Sequence, residues 1–576
     1  MRNTSRYLFV LSLAIAAMLL VMAPVAGAAK NKNTKADVVY TNGKIYTVDK
    51  QFHQVAAMAI KNGRFLAAGP NATMNGFIGR NTKVINLYGK TVLPGLIESH
   101  LHYYSIGEGM QQADIFWKPK QETLEAVTAA VKTALPGDWV TGWGWNQVLW
   151  TPPVFPTAAE LDAVSGGFPV ALSRVDGHAL WVNTKVLQLA GITDATANPS
   201  GGEIVRDAEG HATGVLIDAA MDMVFAVQPT PSDAFQDESL RLAQQQLFSY
   251  GITSCVDQGS GESMIERTKR LYKSGELKIR ITQMVAVADA PKYYDQPKKD
   301  RVDLFGQRYT INGVKILEDG AMGSRGAWFL EPYTDRPDWY GLPQHTEDEL
   351  FAMDKEAVQH GFQVATHAIG DAANRAALNA YERTEQALPK LTKDPRFRIE
   401  HAQAIALSDI PRFKPLHVIP SMQAQHATSD MNMAETRIGP ERIKGAYAWQ
   451  KLLQTGVVIP DGSDAPVESA NPYWGLYAAV TRLDKDGNSP MGPGGWYPEE
   501  CMTREQALRS FTIWGAYASF TEKQKGSIEK GKLADFVIVD GDYMKVPSAD
   551  LWKMSALMTV VGGQTVYVAP GFSLVR

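Results

Sequence analysis

His100 and His102 stand two residues apart in the run ESHLHYY. On a β-strand that spacing puts both imidazoles on one face, where they can bind one divalent ion. A lone His-x-His pair arises readily by chance, so its weight comes from its companions. His367 ends QVATH, His401 ends RFRIEH and Asp464 closes PDGSD. Imidazole and carboxylate are ligand types that zinc accepts. Singly, each has a structural reading: a histidine capping a strand, or an aspartate in a turn. Five such residues, each at the end of a strand-like run, favour a metal site over coincidence.

Lys315, in NGVKIL, sharpens the case. If Val314 and Ile316 face outward on a strand, Lys315 points inward, where an unpaired ammonium is costly. One reading pairs it with a neighbouring acid, Glu318 or Asp319. The other, favoured here, makes it a carboxylated lysine whose two carbamate oxygens bridge two metal ions, because an inward lysine beside cationic metals needs neutralising.

These residues need a scaffold that gathers strand ends. A grammar of helix, glycine and strand recurs along the middle of the chain, as in LAQQQLFSYGITSCVDQG and WQKLLQTGVVIPDGSD. In TEDELFAMDKEAVQHGFQVATH, Thr346 and Glu349 form a capping box, Leu350, Met353, Ala357 and Val358 an apolar stripe, and Gly361 the stop. Eight strands emerge: VLPGLIESH, GITSCVD, KIRITQMVA, INGVKIL, FQVATH, RFRIEH, HVIPSMQ and GVVIPDGSD. Repeated βα units closing at eight strands predict a (β/α)₈ TIM barrel over residues 94–524, with its chemistry at the carboxyl ends of the strands.

An insertion over 103–237 leaves the first strand at that same end and is expected to cover the site as a lid or substrate subdomain. It carries Trp117, Trp139, Trp143, Trp145, Trp150 and Trp181, either lining an apolar pocket or forming the insertion's own core. Both chain ends, 37–93 and 525–570, read as short strands with turn punctuation and are expected to fold together as a small β-sandwich domain. Asn42-Gly43 and Asn62-Gly63 are hairpin signals there.

Length and composition are those of a large globular chain, and the first residues add an address. The 576 residues exceed one ordinary core. A net charge of −4 offers no basic surface for nucleic acid, and two cysteines, Cys255 and Cys501, make no disulfide framework. Arg2 and Arg6 precede the apolar run Leu8 to Met22, and Ala26-Gly27-Ala28 offers a cleavage site. Residues 1–28 are therefore expected to be a signal peptide sending the chain to the periplasm or outside the cell, an uncut anchor being the alternative. No membrane association is expected after removal. For assembly, a homodimer is the expectation.

VDGHALWVN, GVKILEDGAMGSRGA, THAIGD, RIEHAQ, GSDAPV and GSIEKGKLADFVIVD together resemble the amidohydrolase superfamily, and within it the family 3 branch, which includes deformylases of N-substituted formamides. The resemblance spans nearly all the chain after the leader. It implies that His100, His102 and Asp464 hold one metal and His367 and His401 a second, with carboxylated Lys315 between them. Zinc suits this set best, with iron and manganese as alternatives and one or two ions per chain. It further implies attack by a metal-activated hydroxide on a small amide, with Asp464 as proton shuttle. His178 in VDGHALW, Trp145 and Arg325 are candidates for substrate contact, although His178 and Arg325 can equally hold loops.

Two rivals remain. A mononuclear deaminase of the same superfamily commonly has a glutamate three residues beyond the fifth-strand histidine, where this chain has Gly370. A non-catalytic binding or regulatory protein on this scaffold would be expected to have lost a ligand, and none is missing.

Overall fold

A computed structural model describes residues 34–574. The proposed leader lies outside the described residues. Among those described, no helix is long and apolar enough to cross a membrane.

Seven parallel strands, Leu96–Leu101, Ile252–Ser260, Arg280–Ala286, Tyr309–Leu317, Gln363–Ala368, Arg398–His401 and Ile419–Ser421, follow one another around a single sheet in chain order. The eighth position is filled by an extended segment. Met422 bridges Asp461 and Leu101 bridges Ala465, both in parallel, which closes the ring into a TIM-type barrel.

That last segment was expected as a regular strand and is not one. Oε1 of Glu98, on the first strand, accepts the backbone N–H groups of Ser463 and His100, at 2.8 and 3.3 Å, and takes the place of ladder bonds. The approach is so close that a Cβ on Gly462 would lie 2.4 Å from that oxygen. The first strand is also divided. Thr91–Pro94 belongs to another sheet, between Lys44–Tyr46 and Phe536–Val539, and only Leu96–Leu101 joins the barrel. Gly95 is the pivot, since a Cβ there would meet Oγ1 of Thr253 at 2.3 Å.

Strands from the two chain ends share a six-stranded sheet, ordered 564–568, 556–561, 536–539, 91–94, 44–46 and 54–55. A four-stranded sheet of residues 38–86 packs against it through Tyr40, Met58 and Phe65 on one side and Ile45, Phe536 and Val560 on the other. Asn62 and Gly63, at φ 49° and 71°, make the expected hairpin turn. Asn42-Gly43 does not. There the chain passes from the four-stranded sheet to the six-stranded one, and Gly43 clears the side chain of Leu87, which its Cβ would approach to 2.4 Å. The six-stranded sheet is locked to the barrel by a buried bidentate pair: Arg280 donates from Nε and Nη2 to Asp535 at 2.7 and 3.0 Å.

Between the first two barrel strands, residues 113–218 form a separate six-stranded sheet. Trp145, Trp150 and Trp181 pack together in its core, with ring centroids 5.9–6.2 Å apart. On the outside of the barrel, helix Glu347–Gln359 starts with the Thr346/Glu349 capping box and buries Leu350, Ala357 and Val358.

Candidate metal centre

His100 is fully buried at the end of the first strand and donates from Nδ1 to Oε2 of Glu400 at 2.6 Å. Glu400 is itself anchored by Arg398, which also bonds the carbonyl of Ser99 at 2.8 Å and Oγ of Ser421 at 2.9 Å. This fixes the ring with Nε2 facing the barrel mouth, the arrangement by which a second partner orients a metal-binding histidine. His401, ending the sixth strand, is held likewise by Oε1 of Gln423 at 2.8 Å. Asp464 arrives from the eighth segment. Both His401 and Asp464 have positive φ, 72° and 58°, a conformation that L side chains adopt at a cost and that clusters at functional sites.

One ligand atom from each of His100, His401 and Asp464 lies within 4.8 Å of the others. Nε2 of His100 and Nε2 of His102 are 3.2 and 3.1 Å from Oδ1 of Asp464. Despite that approach, Nε2 of His100 and Oδ1 of Asp464 are buried and make no hydrogen bond. Two ligands about 2.1 Å from one tetrahedral ion stand about 3.4 Å apart, so the donor set and its unsatisfied atoms fit a divalent cation. Burial pushes the Asp464 carboxyl up, but His100, His102 and His426 together hold it well below the usual carboxylate range. Burial drives His401 well below the ordinary imidazole value and takes His367 down to about 4. Both shifts favour the neutral imidazole, the form that binds metal.

His367 belongs to the cluster by its ring, 4.5 Å from that of His401. Its Nε2, however, is turned to Asp319 at 3.3 Å, which leaves Nδ1 as its free donor atom. The three atoms that converge most closely are those of His100, His401 and Asp464.

Lys315 points into the barrel between outward-facing Val314 and Ile316, all three buried. Pairing with Glu318 or Asp319 does not occur. Both oxygens of Glu318 lack a hydrogen-bond partner, and Asp319 is occupied by the backbone N–H groups of Trp328, Ile369 and Gly370. Burial lowers the Lys315 amine to about 8.

The profile of the amidohydrolase family matches residues 83–567. The chain belongs to the amidohydrolase family. It is 36% identical over 544 residues to Protein LONG AFTER FAR-RED 3 of Arabidopsis thaliana, covering 92% of both chains. It is 31% identical to the putative amidohydrolase YtcJ of Bacillus subtilis, covering 92% of this chain and 99% of that one. N-substituted formamide deformylase of Arthrobacter pascens is 26% identical, over 93% of this chain and 99% of the relative. Among solved structures, an uncharacterized metal-dependent hydrolase from Pyrococcus furiosus superposes with a TM-score of 0.69 at 29% identity, covering 88% of this chain and all of that one. These relationships make the centre that of a metal-dependent hydrolase.

Within this amidohydrolase site, two cavities meet at the histidines. One of about 590 Å³ is bordered by His100, His102, Lys315, Trp143, Phe225 and Leu317. A chamber of about 60 Å³ lies on the other side, among His401, His426, Asp464, Arg174 and Met322. His178 reaches both cavities from the insertion. Its Nδ1 donates to Asp218 at 2.6 Å and its ring lies 5.1 Å from that of His367.

Two expected substrate contacts are not met. Trp145 is fully buried in the insertion core, with Nε1 donating to the carbonyl of Leu172 at 2.8 Å. Trp143, two residues earlier on the strand, lines the large cavity instead. Arg325 lies in the loop after the fourth strand, where it pairs with Asp335 at 2.9 Å and adopts φ 65°, so it fixes that loop. Sequence reasoning missed His426. It sits in helix Ala424–Asp430 just after the seventh strand, with Nε2 3.4 Å from Oδ2 of Asp464 and Nδ1 3.6 Å from Glu468. Its signal was position: a histidine five residues beyond a barrel strand's carboxyl end.

Proposed function

We propose that this amidohydrolase cleaves the carbon–nitrogen bond of a small N-substituted amide, an N-substituted formamide or related N-acyl compound with an apolar or aromatic substituent. The observation that carries this reading is the buried convergence of His100, His401 and Asp464 beside an unpartnered Lys315, at the floor of a cavity walled by Trp143, Phe225 and Leu317. The similarity to N-substituted formamide deformylase supports the choice of bond.

His100, His102, His367, His401 and Asp464 are the residues that would hold divalent metal, zinc above others for this donor set. When bound, the metal supplies Lewis acidity that activates water and polarises the carbonyl. Lys315 takes part as a carbamate. Its neutral amine, made accessible by burial, adds to carbon dioxide and loses a proton, so that an anionic oxygen pair replaces an ammonium. Asp464 accepts the proton of the attacking water and returns it to the leaving nitrogen. Glu400 and Gln423 keep the His100 and His401 rings in place throughout, and Trp143 and its neighbours exclude water around the substituent.

The test is a comparison of N-benzylformamide, unsubstituted formamide and a charged N-acyl amino acid, reading released amine or ammonia. The apolar formamide is expected to be turned over fastest. Preference for the charged compound removes the apolar pocket, and turnover of esters or lactones with none of the amides removes the amidase assignment.

A further inference from the structure

Beyond the 60 Å³ chamber lies a groove of about 420 Å³ that shares Trp117, Ser429 and Glu468 with it. The groove therefore adjoins the chamber that His401 and Asp464 border, yet none of the metal-binding candidates borders the groove itself. Its walls come from three separate parts of the chain: Phe116 and Trp117 of the insertion, Trp474 and Tyr477 of helix Pro472–Thr481, and Trp552 of the turn Ser548–Lys553. Aromatic faces converging from separate elements make a surface suited to stacking another ring.

Charge narrows the occupant. Glu468, Asp484 and Asp486 border the groove with a single cation, Lys485, which is tied to Asp486 at 3.0 Å. Such a rim disfavours a carboxylate and favours a neutral or cationic group. Amide hydrolysis releases a carboxylate from the acyl side and an ammonium from the amine side. The groove matches the second.

We infer that this groove is an outer subsite for the amine half of the substrate, taking an aryl group carried on a spacer that reaches past Trp117. The inference rests on the amide reading above and extends it: a small substituent stays against Trp143, whereas an aryl group on a longer spacer reaches the groove instead. Trp117 divides chamber from groove. Its backbone stands at φ 57°, and its buried Nε1 has no hydrogen-bond partner.

The experiment titrates zinc-loaded full-length protein calorimetrically with 4-phenylbutylamine and with 4-phenylbutyrate, and repeats this for Trp474→Ala and Trp552→Ala. These two positions lie on different elements, so a folding failure in one leaves the other to report. Wild type should bind the amine more tightly than the acid. Each variant should weaken amine binding about tenfold and lower by a similar factor the ratio of kcat/KM for N-(4-phenylbutyl)formamide over N-methylformamide. Equal affinities for amine and acid, or variants that bind the amine as wild type does, overturn the subsite. If the amine binds with the expected pattern but no formamide is hydrolysed, the amide reading fails instead.

Discussion

Oδ1 of Asp218 accepts a 2.6 Å hydrogen bond from Nδ1 of His178, and the other carboxylate oxygen is wedged against the loop after the fourth barrel strand. A Cβ on Gly320 would lie 2.4 Å from Oδ2 of Asp218, and one on Gly326 would lie 2.2 Å from it. Two glycines of the barrel thus make room for an insertion aspartate that aims a histidine into the site.

Asp218→Asn should accordingly lower kcat/KM by roughly tenfold to a hundredfold, as displaced positioning groups do, while bound metal and melting temperature stay at wild-type values. Gly320→Ala should act on the same pair, so the double variant should lose less than the two effects combined. Fully additive losses would show that the glycine and the aspartate serve different ends.

Asp464→Asn should retain the fold, because the carboxylate's own hydrogen bonds are few, but lose about 10²-fold or more in kcat, since an amide cannot carry the proton. Near-normal turnover would take Asp464 out of the mechanism and point to another base.

The parts legible in the sequence were those with local signals. His367 and His401 could be placed because each ends a run with strand character in the recurring helix-and-strand unit, and His100 and His102 because their two-residue spacing falls at the end of another such run. What escaped depends on contacts distant in sequence. VLPGLIESH reads as one strand, but Thr253, more than 150 residues on, divides it at Gly95. Trp143 and Trp145 differ by two residues on one strand; a local bulge between them, with Gly144 at φ 116°, changes their register. Only the packed sheet shows which of the two faces the cavity. His426 was hidden because a short helix, rather than a strand end, presents it.

The Arg280–Asp535 pair predicts how the barrel and the terminal sheet hold together. Both side chains are buried, and Arg280 holds the Asp535 carboxyl below its usual range against the upward push of burial. A carboxyl depressed on folding contributes stability that is present above its unfolded value of about 3.9 and lost as pH falls through the folded value. Asp535→Ala at neutral pH leaves a buried guanidinium uncompensated and should cost about 3–5 kcal/mol in urea unfolding. A loss below about 1 kcal/mol would mean that the pair is solvated like a surface bridge.

Lys315→Ala should lower metal content as well as turnover, because the proposed carbamate would be a shared ligand. If protein prepared with zinc and bicarbonate holds two ions, it should lose about one of them on this substitution. A variant that keeps one tight ion and full activity would reduce the centre to a single-metal site.

The cluster around His100, His401 and Asp464 is expected to work as a metal centre. Its most direct test is the rate of amine release from N-benzylformamide by one preparation, first stripped with a chelator and then titrated with zinc. The predicted result is no release from the stripped protein and recovery that saturates at one to two equivalents of zinc per chain. Undiminished release from protein whose residual metal is far below one ion per chain would contradict it.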